Sequence, residues 1–137
     1  MLSQFAERLR EFLEVHEMPL FVHGSGMPRS QMLEEFRNTP RSVLFGTDTF
    51  WMGVDVPGDA LSNVIIVKLP FAVPSQPILD ARIEHIKARG GNPFAELQLP
   101  EAVLKFKQGV GRLIRSRTDT GIVVILDPRV CTKSYGR

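Results

Sequence analysis

Two short runs leave this chain few architectures: Asn63–Val64–Ile65–Ile66–Val67–Lys68–Leu69 and Gly121–Ile122–Val123–Val124–Ile125–Leu126. Both are continuously apolar rather than alternating, and both are of strand length. Strands of this kind are buried on both faces, as in a parallel sheet packed between helices. Leu20–Phe21–Val22 and Val43–Leu44–Phe45 read as two further buried strands. Helices separate most of these runs. The chain opens with an apolar stripe of Leu2, Phe5, Leu9, Phe12 and Leu13 at helical spacing, which Pro19 ends. A second helix is expected from about Arg29 to Asn38, burying Met32, Leu33 and Phe36. The fold class is therefore α/β, with a mostly parallel sheet between two helical layers.

The rhythm breaks between residues 70 and 100. That stretch carries Pro70, Pro74 and Pro77, a helix near Ile78–Arg89 and a turn at Gly90–Gly91–Asn92–Pro93. It reads as a proline-rich helical elaboration inside one domain, residues 1–137, because it is too short to hold a second core. The first helix has no strand before it, so the sheet is expected to lack its first strand, as in a piece of a longer polypeptide. Two copies associating, or a swapped strand, would cover the open edge.

Charge is unevenly distributed. Residues 101–137 hold eight Lys and Arg against three Asp and Glu, a net +5, while the preceding 100 residues are net −3. A basic C-terminal third points to an anionic partner, whether nucleotide or nucleic acid. The single Cys131 excludes an internal disulfide, and His16, His23 and His85 have no metal-ligand spacing, so no metal site is expected in this segment. With no signal peptide and no apolar run of membrane length, the expected location is the cytoplasm, with no membrane partner.

Chemistry is concentrated in two stretches. Leu99 to Arg117 reads as one helix, with Val103, Phe106, Val110, Leu113 and Ile114 on one stripe and Gln108, Arg112 and Arg115 opposite at i, i+4 and i+7. Gly109 and Gly111 lie inside this run, each costing about 1 kcal/mol against alanine in a helix. Bare backbone beside an arginine pair suits close approach to a phosphate, where guanidinium groups bind by paired hydrogen bonds. A solvated basic face is the plainer alternative.

The second stretch follows Val43–Leu44–Phe45, at the strand end where open parallel sheets bind ligands: Gly46–Thr47–Asp48–Thr49–Phe50–Trp51–Met52–Gly53–Val54–Asp55–Val56–Pro57–Gly58. Thr47 and Thr49 can donate to a phosphate, and Asp55 can accept from a sugar hydroxyl or orient an arginine. A turn that satisfies its own backbone would use the same residues. Phe50 and Trp51 suit either base stacking or the core.

Thr47, Asp48, Gly53 and Asp55 resemble the fifth motif of superfamily-two helicases, T-D-x-x-x-x-G-x-D. Gln108, Gly111, Arg112 and Arg115 resemble the sixth, Q-x-x-G-R-x-x-R. Joined by F-W-x-G-V-D-V-P-G, V-K-L-P-F and Q-G-x-G-R-L-I-R-S, the pattern is similar to the DinG branch, relatives of the iron–sulfur XPD helicases. The resemblance covers nearly the whole chain. It implies a RecA-like, P-loop NTPase-type three-layer α/β/α domain, the second of two that bind ATP between them.

In that setting Arg112 and Arg115 would act as arginine fingers on the γ-phosphate, and Gln108 would bond there or to the attacking water. Asp55 would meet the ribose or an arginine, with Gly53 and Gly111 allowing close packing. Thr47 and Thr49 would touch the backbone of single-stranded DNA, and Gly24–Ser25, ahead of a helix, would hold a further phosphate. Met52 stands where many relatives carry Glu, and Gly109 where other superfamily members carry Arg, so no charge acts at either position.

No G-x-x-x-x-G-K-[ST] loop occurs in the sequence. ATP and Mg²⁺ would then be bound mainly by the N-terminal helicase domain of the parent chain, and this segment alone is expected to be inactive. Any iron–sulfur cluster would belong to that other domain. Two further readings stay open: a non-catalytic nucleic-acid-binding or interaction module on a degenerate RecA-like fold, and a Rossmann-type small-molecule domain, which lacks its glycine fingerprint.

Overall fold

The computed structural model describes residues 2–47, 50, 56, 60–72, 77–114 and 117–136. In chain order these form α1 (Leu2–Val15), β1 (Leu20–Val22), α2 (Arg29–Asn38), β2 (Val43–Phe45), β3 (Asn63–Ile66), α3 (Pro77–Ala88), a π-helical turn (Phe94–Gln98), α4 (Leu99–Val110), β4 (Ile122–Ile125), α5 (Arg129–Thr132) and a closing 3₁₀ turn (Ser134–Gly136). The chain divides into two compact units, Met1–Val64 with Gly111–Ile122, and Ile65–Val110 with Val123–Arg137. The architecture is mixed α/β with small parallel sheets.

In the first unit, α1 buries Ala6 and Leu13, with Leu2 and Leu9 half-buried on the same stripe. Phe5 and Phe12, expected on that stripe, stand at its margins and are 43% and 58% exposed. The helix ends before Pro19 is reached. Glu17 turns left-handed (φ 54°), its N–H donating to Glu14 O at 3.0 Å while Met18 N–H donates to Leu13 O at 2.9 Å. That pair of bonds closes a helix C-terminus around a left-handed residue, here without the usual glycine. Next, β1 and β2 pair in parallel, Leu20 opposite Val43 and Val22 opposite Phe45. As expected, α2 buries Met32, Leu33 and Phe36, and these pack with Phe50 and Val56 into the core. Phe21 meets Phe36 edge-on, ring centroids 6.4 Å apart.

In the second unit, Pro77 opens α3 at a position where its missing N–H costs nothing, and Leu79 and Ile86 are buried. The following turn is capped by Asn92, whose Oδ1 accepts from Phe94 N–H at 3.0 Å, while Glu96 Oε1 accepts from Asn92 N–H at 2.9 Å. Arg89 bonds the other carboxylate oxygen of Glu96. Phe71, Phe94 and Tyr135 form an aromatic trio, with centroids 5.2 to 5.8 Å apart.

Three expectations are corrected. The helix over Leu99–Arg117 stops at Val110, and Gly111 to Leu113 form a turn. Two glycines weaken the helix there, and Leu113 is 5% exposed against Gly121, where a Cβ would lie 2.5 Å from Leu113 Cδ1. The buried stripe of α4 is accordingly Ala102 and Gly109, while Val103 is 41% exposed.

The strand expected over Asn63–Leu69 ends at Ile66, because Leu69 N–H turns aside to donate to the Asp127 carboxylate at 2.9 Å. Among the described residues the strands pair as two two-stranded ladders, β1–β2 and β3–β4. Bonds from Ile122 N–H to Ser62 O (3.0 Å) and from Leu126 N–H to Ile66 O (2.9 Å) advance together along β3 and β4, so this pair is also parallel. Burial alternates along both strands rather than covering both faces, leaving Ile65, Val67, Val124 and Leu126 exposed.

Candidate functional site

Parallel pairing in register makes β1 and β2 finish level, so the loops that follow them start side by side. His23 N–H donates to Phe45 O at 2.8 Å, extending the ladder by one bond. Beyond it the first chain turns sharply, with Ser25 N–H to Val22 O at 3.2 Å and both Gly24 (φ 90°) and Gly26 (φ 98°) left-handed. Only glycine takes such angles at no steric cost, which explains two glycines in three residues. The second chain turns at Thr47, whose carbonyl accepts from Phe50 N–H at 2.9 Å. Gly46 lets that turn close, since a Cβ there would lie 2.9 Å from Phe50 Cδ1.

Side chains tie the two loops together. Thr47 Oγ1 lies 3.4 Å from His23 Nδ1, and the His23 ring packs on the Phe50 ring with centroids 4.6 Å apart. Arg29, the first residue of α2, donates from its guanidinium to Phe50 O at 2.6 Å and lies over the Phe50 ring, 5.1 Å from its centroid. Phe50 itself is 2% exposed. Its ring is thus core, and base stacking by Phe50 is ruled out.

The structure therefore brings together the expected nucleic-acid residues Gly24, Ser25 and Thr47, all exposed, at one end of the β1–β2 ladder. Gln108 is exposed on the last turn of α4, in the second unit. Gly111 and a half-buried Arg112 lie in the turn beyond the end of that helix, in the first unit. Thr49, Gly53, Asp55 and Arg115 lie outside the described residues, as does Trp51. An apolar cavity of about 130 Å³ in the second unit, bounded by Phe71, Ala102, Phe106, Val130 and Tyr135, holds none of these residues. Among the described residues, no helix is long and apolar enough to cross a membrane and no three His, Cys, Asp or Glu cluster as metal ligands.

Sequence reading passed over Arg29, His23 and a second cluster, at the end of β4. Asp127 is 4% exposed, accepting from Leu69 N–H and, at 3.0 Å, from Arg129 N–H. The Arg129 guanidinium reaches the same carboxylate at 2.5 to 3.1 Å and lies over Phe71 at 5.1 Å. Hydrogen bonding from Arg129 holds the Asp127 carboxyl well below the usual carboxylate range, against the opposing effect of burial, and raises the Arg129 guanidinium in turn. The available signal was an acid directly after an apolar strand with Pro and Arg next, opposite charges two residues apart at a chain reversal.

Comparison with known proteins places the whole chain. The family model described as "Helicase C-terminal domain" matches residues 1–137. A protein of Haemophilus influenzae named ATP-dependent DNA helicase YoaA is 50% identical over 125 residues, 91% of this chain and 19% of the relative. Its Escherichia coli namesake is 46% identical over 99% of the chain and 21% of the relative. A Bacillus subtilis protein named 3'-5' exonuclease DinG is 41% identical over the full chain and 15% of the relative. The chain thus spans about a fifth or less of the length of these curated relatives. With the model matched from end to end and the DinG resemblance matched by these relatives, the chain belongs to the helicase C-terminal domain family.

Proposed function

We propose that this chain is the second motor domain of an ATP-dependent DNA helicase of the DinG type, with a RecA-like three-layer core in its working context. The observation that carries the reading is the family match over all 137 residues, with the T-D-x-x-x-x-G-x-D and Q-x-x-G-R-x-x-R residues present and in order. ATP and Mg²⁺ are bound mainly by a partner motor domain that carries a Walker loop. Arg112 and Arg115 stabilise the charge that develops on the transferring γ-phosphoryl group, and Gln108 orients the water or the phosphate. Asp55, with Gly53 and Gly111 allowing close approach, receives the ribose or an arginine. Thr47, Thr49 and the Gly24–Ser25 turn hold the backbone of single-stranded DNA, contacts that read no sequence. The basic C-terminal third supports an anionic ligand on that side.

The test joins this chain to a Walker-loop motor domain and follows DNA-stimulated ATP hydrolysis. Arg115→Ala is expected to lower the turnover by about 10³-fold or more, the scale of an arginine finger. The chain without that partner is expected to hydrolyse no ATP. Hydrolysis in the joined protein unaffected by Arg115→Ala would favour a non-catalytic module instead.

A further inference from the structure

Arg29 lies outside both helicase motifs, yet its side chain makes two specific contacts with one residue. Its guanidinium donates to Phe50 O at 2.6 Å and covers the Phe50 ring at 5.1 Å, holding one residue by its backbone and its side chain together. Local helix chemistry does not account for it. An arginine as first residue of α2 sits at the positive end of the helix dipole, where an acid is preferred, and no side chain caps that end. What the arginine gains is Phe50. That residue closes the Thr47 turn through its own N–H, and its ring carries His23, which lies against Thr47 Oγ1. Arg29 and His23 bracket the Gly24–Ser25 turn in sequence. Two loops that are separate in sequence therefore close on a single buried ring.

We infer that Arg29 is a positioning residue: by clamping Phe50 it makes the Gly24–Ser25 turn and Thr47 one preformed grip for the sugar–phosphate backbone of single-stranded DNA, without itself touching the DNA. The inference rests on the proposal that Thr47 and Gly24–Ser25 meet that backbone. Neutral donors such as a threonine hydroxyl and backbone N–H groups hold a phosphate well only when their spacing is set in advance. The clamp sets it.

The experiment measures binding of a fluorescent oligothymidylate to the 137-residue chain by anisotropy, across a salt series. Arg29→Ala is expected to weaken binding about tenfold, within the range of coupled neighbours, and Thr47→Val to weaken it similarly. The double variant is expected to be no weaker than the poorer single one, since both act through one grip. The slope of log affinity against log salt should stay that of the wild type in Arg29→Ala. An arginine that itself neutralised a phosphate would flatten the slope by about 0.7 on single strands.

A flattened slope, or multiplicative losses in the double variant, overturns the positioning role. Unchanged binding by Arg29→Ala beside a loss in Thr47→Val overturns this inference and leaves the DNA reading standing. If wild type does not bind, or Thr47→Val and Ser25→Ala both bind as wild type, the DNA reading falls and this inference with it. Should Arg29→Ala not fold, Arg29→Gln, which removes the charge and keeps an N–H donor, carries the same cycle. Its expected loss is smaller, with the same non-additivity and unchanged slope.

Discussion

At the scale of single residues, the sharpest consequence belongs to Asp127. Its carboxylate holds Leu69 N–H and the Arg129 guanidinium at once, with 4% of its surface exposed. Because the folded carboxyl lies below its ordinary value, the stabilisation it supplies is complete above pH 4 or so and is lost as pH falls through the folded pKa. Urea midpoints measured from pH 7 down to pH 2 should fall at the acid end in the wild type and fall less in Asp127→Ala. At neutral pH that variant should lose about 1–3 kcal/mol, the cost of leaving the Leu69 N–H without its acceptor. This bond was not legible in the sequence, since Leu69 lies 58 residues away and nothing in spacing or periodicity joins them.

At the scale of elements, periodicity told which segments form helices more reliably than which side chains they bury. The expected burial of Met32, Leu33 and Phe36 on α2 is observed, because only one face of that helix is apolar. On α1 the apolar arc is wider than the surface it covers, so Ala6 and Leu13 go inside while the bulkier Phe5 and Phe12 stay at the margin. The expected outcome is a contrast in denaturant melts. Leu13→Ala should cost about 2–4 kcal/mol, as buried leucines do, whereas Phe12→Ser should stay within about 0.5 kcal/mol of wild type. Helix length after Leu99 was misread for a related reason: the repeat of apolar residues continues past Val110, but Leu113 finds its place against Gly121 instead of on the helix. The place of Thr47 just past the end of β2 was legible from the apolar run before it. Arg29 was not, because a cation opening a helix looks like any solvated charge until its partner across 21 residues is known.

At the scale of the whole chain, apolar strand runs announced α/β class correctly and overstated how fully the strands are covered. Ile65, Val67, Val124 and Leu126 leave a row of β-branched and leucine side chains facing water on the β3–β4 ladder. Continuous hydrophobicity in sequence carries no record of what covers each face, so two-sided burial could not be read from it. Such a row favours self-association. Light scattering of the 137-residue chain should show mass rising with concentration, and Ile65→Thr with Val124→Thr should suppress the rise. The flush ending of β1 and β2 has a consequence of another kind. Strand spacing of about 4.8 Å is all that separates the roots of the two loops, and the bond from His23 N–H to Phe45 O ties those roots together, so a shift of one strand end carries the base of the other loop with it.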